Sequence, residues 1–64
     1  MNEIDIKLKK LLRRVFDDDE FVTCIFTQLK KENLRKAMVD YIKQNPQITS
    51  EEITLMAIEM KRNN

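Results

Sequence analysis

Glycine is absent from all 64 residues of the chain, and this absence limits the possible folds more than any residue that is present. Two-residue hairpin turns and loops that cradle phosphate both favour glycine, because their backbones need positive φ or must approach a ligand closely. A sheet built from tight hairpins is therefore not expected. We predict an all-α fold, a compact bundle of three to four short helices, in a single small helical domain at residues 1–64.

The sequence also offers few residues for chemistry. It contains no histidine, which is the usual general base and the commonest metal ligand, and its single cysteine is Cys24. We interpret Cys24 as a small space-filling residue. The acidic run at 17–20 is better suited to the start of a helix than to calcium, because calcium loops alternate their ligands and need a sharp turn. We therefore predict no enzyme activity, no catalytic residue, no metal site and no cofactor.

A chain of this length is expected to be only marginally stable alone. A domain of about 60 residues buries only about 60% of the surface that its unfolded chain exposes. One cysteine leaves no intramolecular disulfide to add stability. A dimer or a bound partner is therefore the expected source of further stability.

Charge and hydropathy restrict the partners and the location. The formal net charge of +1 gives no overall field for gripping DNA or an anionic membrane. No apolar run approaches the length of a transmembrane helix, and the N-terminal residues lack the apolar core of an export signal. Together with the lone cysteine, this predicts a cytoplasmic protein.

Two helices are predicted in the N-terminal half. Apolar residues recur at helical spacing over 4–16, and Asn2 is placed to cap this helix. A second helix is expected to follow Asp17 or Asp18, which suit the N-cap position. Residues 21–27 leave a strand open as an alternative, since their strand propensity is high. The helix is favoured because their apolar residues keep helical spacing and no partner strand is visible.

A third helix is predicted after a turn at 30–33. Asn33 is the expected cap, and Pro46 ends the helix because the residue before a proline is disfavoured in the helical region. The apolar stripe expected to be buried comprises Leu34, Ala37, Met38, Tyr41 and Ile42.

The clearest local signal marks the start of a fourth helix. Thr49 or Ser50 is the expected cap, and Glu52 completes a capping box with Thr49. Ile48 and Ile53 occupy the two positions of a hydrophobic staple, which fixes the angle at which the chain enters the helix.

The stretch from Asn45 to Ile53 resembles the joint between the first two helices of many bacterial winged helix-turn-helix domains. In that family an apolar helix ends in Asn-Pro, Ile-Thr follows, and Glu-Glu-Ile opens the next helix. The resemblance covers about a dozen residues. The family continues with a turn glycine and a recognition helix that enters the major groove. This sequence has no glycine, so we expect a helix–helix joint here and no recognition helix.

The first helix carries a basic face. Five cations and no acid lie between Ile6 and Phe16. This face would suit phosphate groups or an anionic membrane surface, but we favour a solvated face whose long side chains cover the edge of the core. If it does bind phosphate or an anionic partner, the candidate contacts are Lys7, Lys10, Arg13 and Arg14.

The fourth helix is apolar on two sides. One stripe comprises Ile53, Met56, Ala57 and Met60, and Leu55 and Ile58 project from roughly the opposite side. A terminal helix in so short a chain rarely buries both sides within its own monomer. We therefore predict a protein interface at Leu55, Ile58 and Met60.

These observations predict a small cytoplasmic protein–protein interaction or regulatory module that acts through an apolar helix face. Its expected partner is a second copy, in a homodimer, and/or a larger protein. The alternative is a nucleic-acid-associated regulator. In that case a dimer would present the basic face of the first helix, with the partial helix-turn-helix-like joint at 45–53.

Overall fold

Four helices make up the part of the chain that the computed structural model describes, residues 2–63. They are α1 (Glu3–Val15), α2 (Asp19–Gln28), α3 (Glu32–Gln44) and α4 (Ser50–Arg62), and no strand occurs within residues 2–63. The predicted all-α fold is confirmed, and segment 21–27 is helical, inside α2. Met1 and Asn64, the two ends of the predicted domain, lie outside the described residues.

Side chains at the predicted positions cap α1 and α2. The Asp5 backbone N–H donates to Asn2 Oδ1 at 2.9 Å, and the Glu20 backbone N–H donates to Asp18 Oδ1 at 2.9 Å. Both cap residues have extended backbone angles. Each cap satisfies one of the first N–H groups of its helix, which have no partner within the helix. Local sequence therefore determines where these two helices begin.

The start of α4 also follows the sequence prediction. The Glu52 backbone N–H donates to Thr49 Oγ1 at 3.2 Å, and the Thr49 backbone N–H donates to Glu52 Oε1 at 3.3 Å. Thr49 is thus the cap, and the two residues form the predicted capping box. Ile48 and Ile53 are both buried, as the predicted staple requires.

The start of α3 differs from the prediction. The helix begins at Glu32, and the N-cap residue is Lys31, whose side chain makes no capping hydrogen bond. The prediction of Asn33 as cap is wrong because a contact between helices holds this turn. Arg35 Nε donates to the backbone carbonyl of Leu29 at 2.6 Å, across the joint between α2 and α3.

The buried face of α3 is also rotated from the predicted stripe. Met38 is buried as expected, but Val39 is buried beside it, whereas Ala37 and Tyr41 are exposed. Arg35 is half-buried on the same side as Met38 and Val39. Hydrogen bonds to α2 hold Arg35 inward, so the face it belongs to becomes the buried one.

Core packing pairs helices that are not consecutive in the sequence. α1 packs mainly against α3, and α2 packs against α4 and, less extensively, against α1. The Cα radius of gyration is 10.4 Å, and the principal extents of 26, 25 and 24 Å are almost equal. One cluster of buried apolar residues draws on all four helices and the joints; it comprises Leu8, Leu12, Phe16, Val22, Ile25, Leu29, Met38, Val39, Ile42, Ile48, Ile53 and Ala57.

The joints at 16–18, 29–31 and 45–49 accommodate the absence of glycine. No residue between positions 2 and 63 has a positive φ. The chain leaves α1 at Phe16, which has extended angles of −105° and 128°. Ordinary residues adopt such angles without strain, so these turns do not need the left-handed conformations that glycine supplies.

Candidate functional site

Two of the most exposed apolar side chains line the same groove. Leu55 on α4 is 63% exposed, and Phe21 on α2 is 57% exposed. Between them lies a surface groove of about 540 Å³, whose floor and walls include Val15 and Phe16 from the end of α1. We call this hollow the Phe21–Leu55 groove. It is the strongest candidate for a binding site because it gathers exposed apolar surface from separate helices.

Phe21 is held in position by a buried neighbour. Its ring stacks on that of Phe16, with centroids 6.0 Å apart and an angle of 22° between the planes. Phe16 is itself part of the core. Stacked aromatic pairs gain about 0.5–1.5 kcal/mol beyond the burial of their area. The groove therefore has a preformed aromatic wall, and a partner would lose little side-chain entropy when it binds there.

The rim of the groove is acidic. Its lining includes Asp17 and Asp18, in the joint before α2, and Glu51, in the first turn of α4. All three side chains are exposed. Asp18 is the cap of α2 and Glu51 lies near the positive end of the α4 dipole, which explains why carboxylates are tolerated at these positions. The groove thus combines apolar walls with negative charge.

The predicted interface residues do not all share this groove. Leu55 lines it, whereas Ile58 is 41% exposed one turn further along α4. Met60 is partly buried and packs against the core. The structure therefore places Leu55 with Phe21, an apolar residue that the sequence analysis did not name as a site residue.

The sequence contains one sign that Phe21 would be exposed, which is its position at the edge of the apolar stripe of α2. At 100° per residue, Phe21 and Phe26 mark the two edges of an apolar arc of about 140° on α2. Edge residues are the first to be left uncovered when a neighbouring helix packs on the centre of the arc. Phe21 is exposed, Phe26 is half-buried, and the central residues Val22 and Ile25 are buried.

A second, smaller hollow also has Val15 in its lining. It has a volume of about 260 Å³ and lies between α1 and the end of α3, with Leu11 and Pro46 among its apolar walls. The charged residues that line it within positions 2–63 are Arg14 and Lys43, both exposed. We call it the Arg14–Lys43 slot. Val15 lines the slot as well as the groove.

The basic face of α1 is exposed as predicted from its charge. Lys7, Lys10, Arg13 and Arg14 are all exposed. Arg13 Nε lies 3.3 Å from Asp19 Oδ1, in an ion pair that is largely exposed to solvent. The acidic run that follows α1 therefore neutralises part of this face. Arg14 belongs both to this face and to the lining of the slot.

The described residues also bear on metal-ligating groups, on the thiol and on membrane-spanning length. Within positions 2–63, no three Cys, Asp or Glu side chains are close enough together to hold a metal ion. Cys24 is exposed on α2, so the interpretation of Cys24 as a space-filling residue is wrong. None of α1 to α4 combines the length and the apolar character needed to cross a lipid bilayer.

No family model matches the chain, and neither the curated proteins nor the solved structures include a match to it.

Proposed function

We propose that the chain is a small protein–protein interaction module that binds a partner protein through the Phe21–Leu55 groove. The observation that carries this proposal is the meeting of Leu55 and Phe21, at 63% and 57% exposure, in one groove of about 540 Å³. Apolar surface left in water costs about 25 cal/mol per Å², and its burial against a partner recovers that free energy.

The shape of the groove favours a protein as the ligand. Pockets for small molecules enclose about 70–90% of the ligand surface. This groove lies open on the surface between the end of α1 and the first turns of α2 and α4. An apolar helix face fits such a groove, with its side chains against Leu55 and Phe21 and its flanks near the acidic rim.

The module is proposed to work in the cytoplasm as a dimer or as a regulatory subunit of a larger protein. The single exposed thiol of Cys24 suits a reducing compartment. A chain with so small a core gains stability from association, so binding would also favour its folded state. Ile58, beside Leu55 on the exposed side of α4, would extend the contact.

A second candidate function rests on the first helix. Lys7, Lys10 and Arg14 fall within about 60° of one another around α1 at 100° per residue, and all three are exposed. A dimer that aligned two such faces could contact nucleic-acid phosphates. The test is a gel-shift assay with Arg13→Ser plus Arg14→Ser, at about 50 and 200 mM salt, since phosphate binding weakens steeply over that range.

Site-specific photo-crosslinking tests the interaction module. A photoreactive amino acid at position 55 should form a protein adduct in cells that produce the chain, whereas the same residue at Lys36, exposed on α3 outside the groove, should not. The adduct should disappear when Phe21 is changed to Ser, because that change removes the opposite wall. No adduct at position 55, or equal adducts at both positions, would contradict the proposal.

A further inference from the structure

We propose that the occupant of the groove is a second copy of the chain, bound about a twofold axis beside Val15. In this dimer the acidic rim of each Phe21–Leu55 groove contacts the exposed Arg14 and Lys43 side chains beside the slot of the other protomer. The inference deepens the proposed function and rests on it, since it names the partner of the same site.

The two hollows lie side by side and carry opposite charge. Val15 lines both of them. The exposed charges in the lining of the groove are those of Asp17, Asp18 and Glu51, and those in the lining of the slot are Arg14 and Lys43. The negative and the positive lining therefore adjoin at one half-buried apolar residue.

A twofold axis turns this arrangement into mutual attraction. In a twofold interface, when a first region of one protomer contacts a second region of its partner, the second region of that protomer contacts the first region of the partner in the same way. With the axis beside Val15, each acidic rim meets a basic slot, and the attraction occurs twice. The net charge of +1 adds almost no overall repulsion between copies.

Among residues 2–63, the charges that this dimer would use take no part in an ion pair. Within residues 2–63 there are two ion pairs, Arg13 with Asp19 and Arg35 with Asp5. Neither the slot cations nor the rim carboxylates take part in them. A partner can therefore pair with these charges without breaking a pair that already exists.

Such a dimer would bury only a small fraction of the exposed surface of each protomer. The described chain exposes 4689 Å². A small specific interface buries about 600 Å² on each partner, which is about an eighth of that surface. Exposed Leu55 and Phe21, with the half-buried Val15 and Leu11, supply an apolar centre within charged surroundings, as protein interfaces have.

Reciprocal charge reversal in the full chain tests the arrangement. One variant carries Arg14→Glu and Lys43→Glu, and the other carries Asp17→Lys and Glu51→Lys. Sedimentation equilibrium should show a wild-type dimer, and dimerisation weaker by about tenfold or more for each variant alone, because like charges then face each other. An equimolar mixture should form a heterodimer about as tightly as the wild type, since each reversed residue again faces an opposite charge. Asp18 is left unchanged in both variants because it caps α2.

Matched controls separate the contact from general charge effects and from unfolding. Lys30→Glu with Lys36→Glu, and Glu32→Lys with Asp40→Lys, make the same changes at exposed positions outside both hollows. Glu32 lies in the first turn of α3, as Glu51 does in α4, so the loss of favourable dipole interaction is also matched. These controls should dimerise like the wild type, and circular dichroism should show that all variants are helical.

Three results would overturn the second copy as partner. They are a wild type that is monomeric up to about millimolar concentration, variants that dimerise normally, and a mixture in which the heterodimer does not form. The crosslinking experiment distinguishes this failure from that of the proposed function. A monomeric chain that still gives a position-55 adduct with a different protein contradicts the dimer alone, whereas the absence of any adduct contradicts both.

Discussion

The guanidinium of Arg35 lies 3.0 Å from the carboxylate of Asp5 and joins α3 to α1. The same side chain donates from Nε to the carbonyl of Leu29 at 2.6 Å and from Nη2 to the carbonyl of Phe26 at 3.2 Å. Carbonyls at the end of a helix lack partners within it, so Arg35 satisfies groups that α2 leaves open. Its guanidinium also lies 4.7 Å from the centre of the Phe26 ring. One side chain on α3 thus contacts both α1 and α2.

Arg35→Met is expected to lower the free energy of unfolding by about 2–3 kcal/mol. The substitution keeps the apolar stem but removes charge-assisted hydrogen bonds from a site where both partners of the ion pair are only about one-fifth exposed. Arg35→Lys should recover only part of the loss, because an ammonium cannot make the planar, branched set of hydrogen bonds. Urea unfolding at a fixed protein concentration measures both changes.

The matched control is the other ion pair. Arg13 and Asp19 are 56% and 79% exposed, and such pairs contribute less than about 1 kcal/mol. Arg13→Met should therefore change the unfolding midpoint little. Equal effects of Arg13→Met and Arg35→Met would contradict the structural role given to Arg35.

Removal of the α4 cap is expected to cost about 1 kcal/mol. Thr49→Ala deletes the oxygen that accepts the Glu52 backbone N–H and breaks the capping box. Thr27→Ala is the control, because the Thr27 hydroxyl only bonds to the carbonyl of Thr23 within α2, a contact that does little for helix stability. Thermal unfolding followed by circular dichroism should show a lower midpoint for the first variant only.

A capping residue at the start of α3 should raise the stability of the protein. Lys31 has the extended angles of an N-cap, −89° and 140°, but its side chain makes no capping bond. Lys31→Asp should stabilise the protein by about 0.5–1.5 kcal/mol, through a new cap and a favourable charge near the helix start. Lys30→Asp makes the same charge change one residue earlier, outside the cap position. If both variants are equally stable in urea, the gain comes from general charge effects and the cap has no role.

Met60 and Leu55 should respond differently to truncation, although the sequence suggests the same role for both. Met60 packs against the core, so Met60→Ala should destabilise the monomer by about 1–2 kcal/mol. Leu55 is largely exposed, so Leu55→Ala should change monomer stability by less than about 0.5 kcal/mol and weaken association instead. Unfolding at high dilution reports on the monomer, and sedimentation reports on association. The opposite pattern would return Met60 to the interface and remove Leu55 from it.

The sequence was sufficient where structure depends on near neighbours. Asn2, Asp18 and Thr49 cap their helices through bonds to residues at most three positions away. Such bonds are fixed by local backbone geometry, so residue type and spacing predict them. The helical state of 21–27 followed from spacing in the same way, despite its strand propensity.

Prediction failed where a distant contact overrides local preference. Asn33 is a better cap than Lys31 by residue type, yet α3 begins at Glu32 because Arg35 is tied to the end of α2. No periodicity in α3 alone reveals that an arginine occupies its inner side in place of Tyr41. The pairing depends on Asp5 and on two carbonyls, and only the folded chain brings these together.

Only part of the candidate site could be predicted from the sequence, because the rest depends on contacts between helices. Leu55 stands out because it lies opposite the buried stripe of its own helix, which is a property of the sequence. Its neighbour Phe21 belongs to α2, and their meeting depends on the packing of α2 against α4. A groove formed by separate helices has no single signature along the chain.

The contacts of Arg35 also bear on how long the folded state persists. The carboxylate that it contacts lies 30 residues earlier in the chain, so the arrangement is complete only when α1, the end of α2 and α3 have all assembled. We expect the contact with Asp5 to form after the transition state, because it needs all of these parts in place. Interactions that form so late slow unfolding and leave the folding rate unchanged. In stopped-flow experiments, loss of Arg35 should therefore raise the unfolding rate alone. A small helical chain of this kind would still fold quickly, and Arg35 would lengthen the lifetime of each folded molecule.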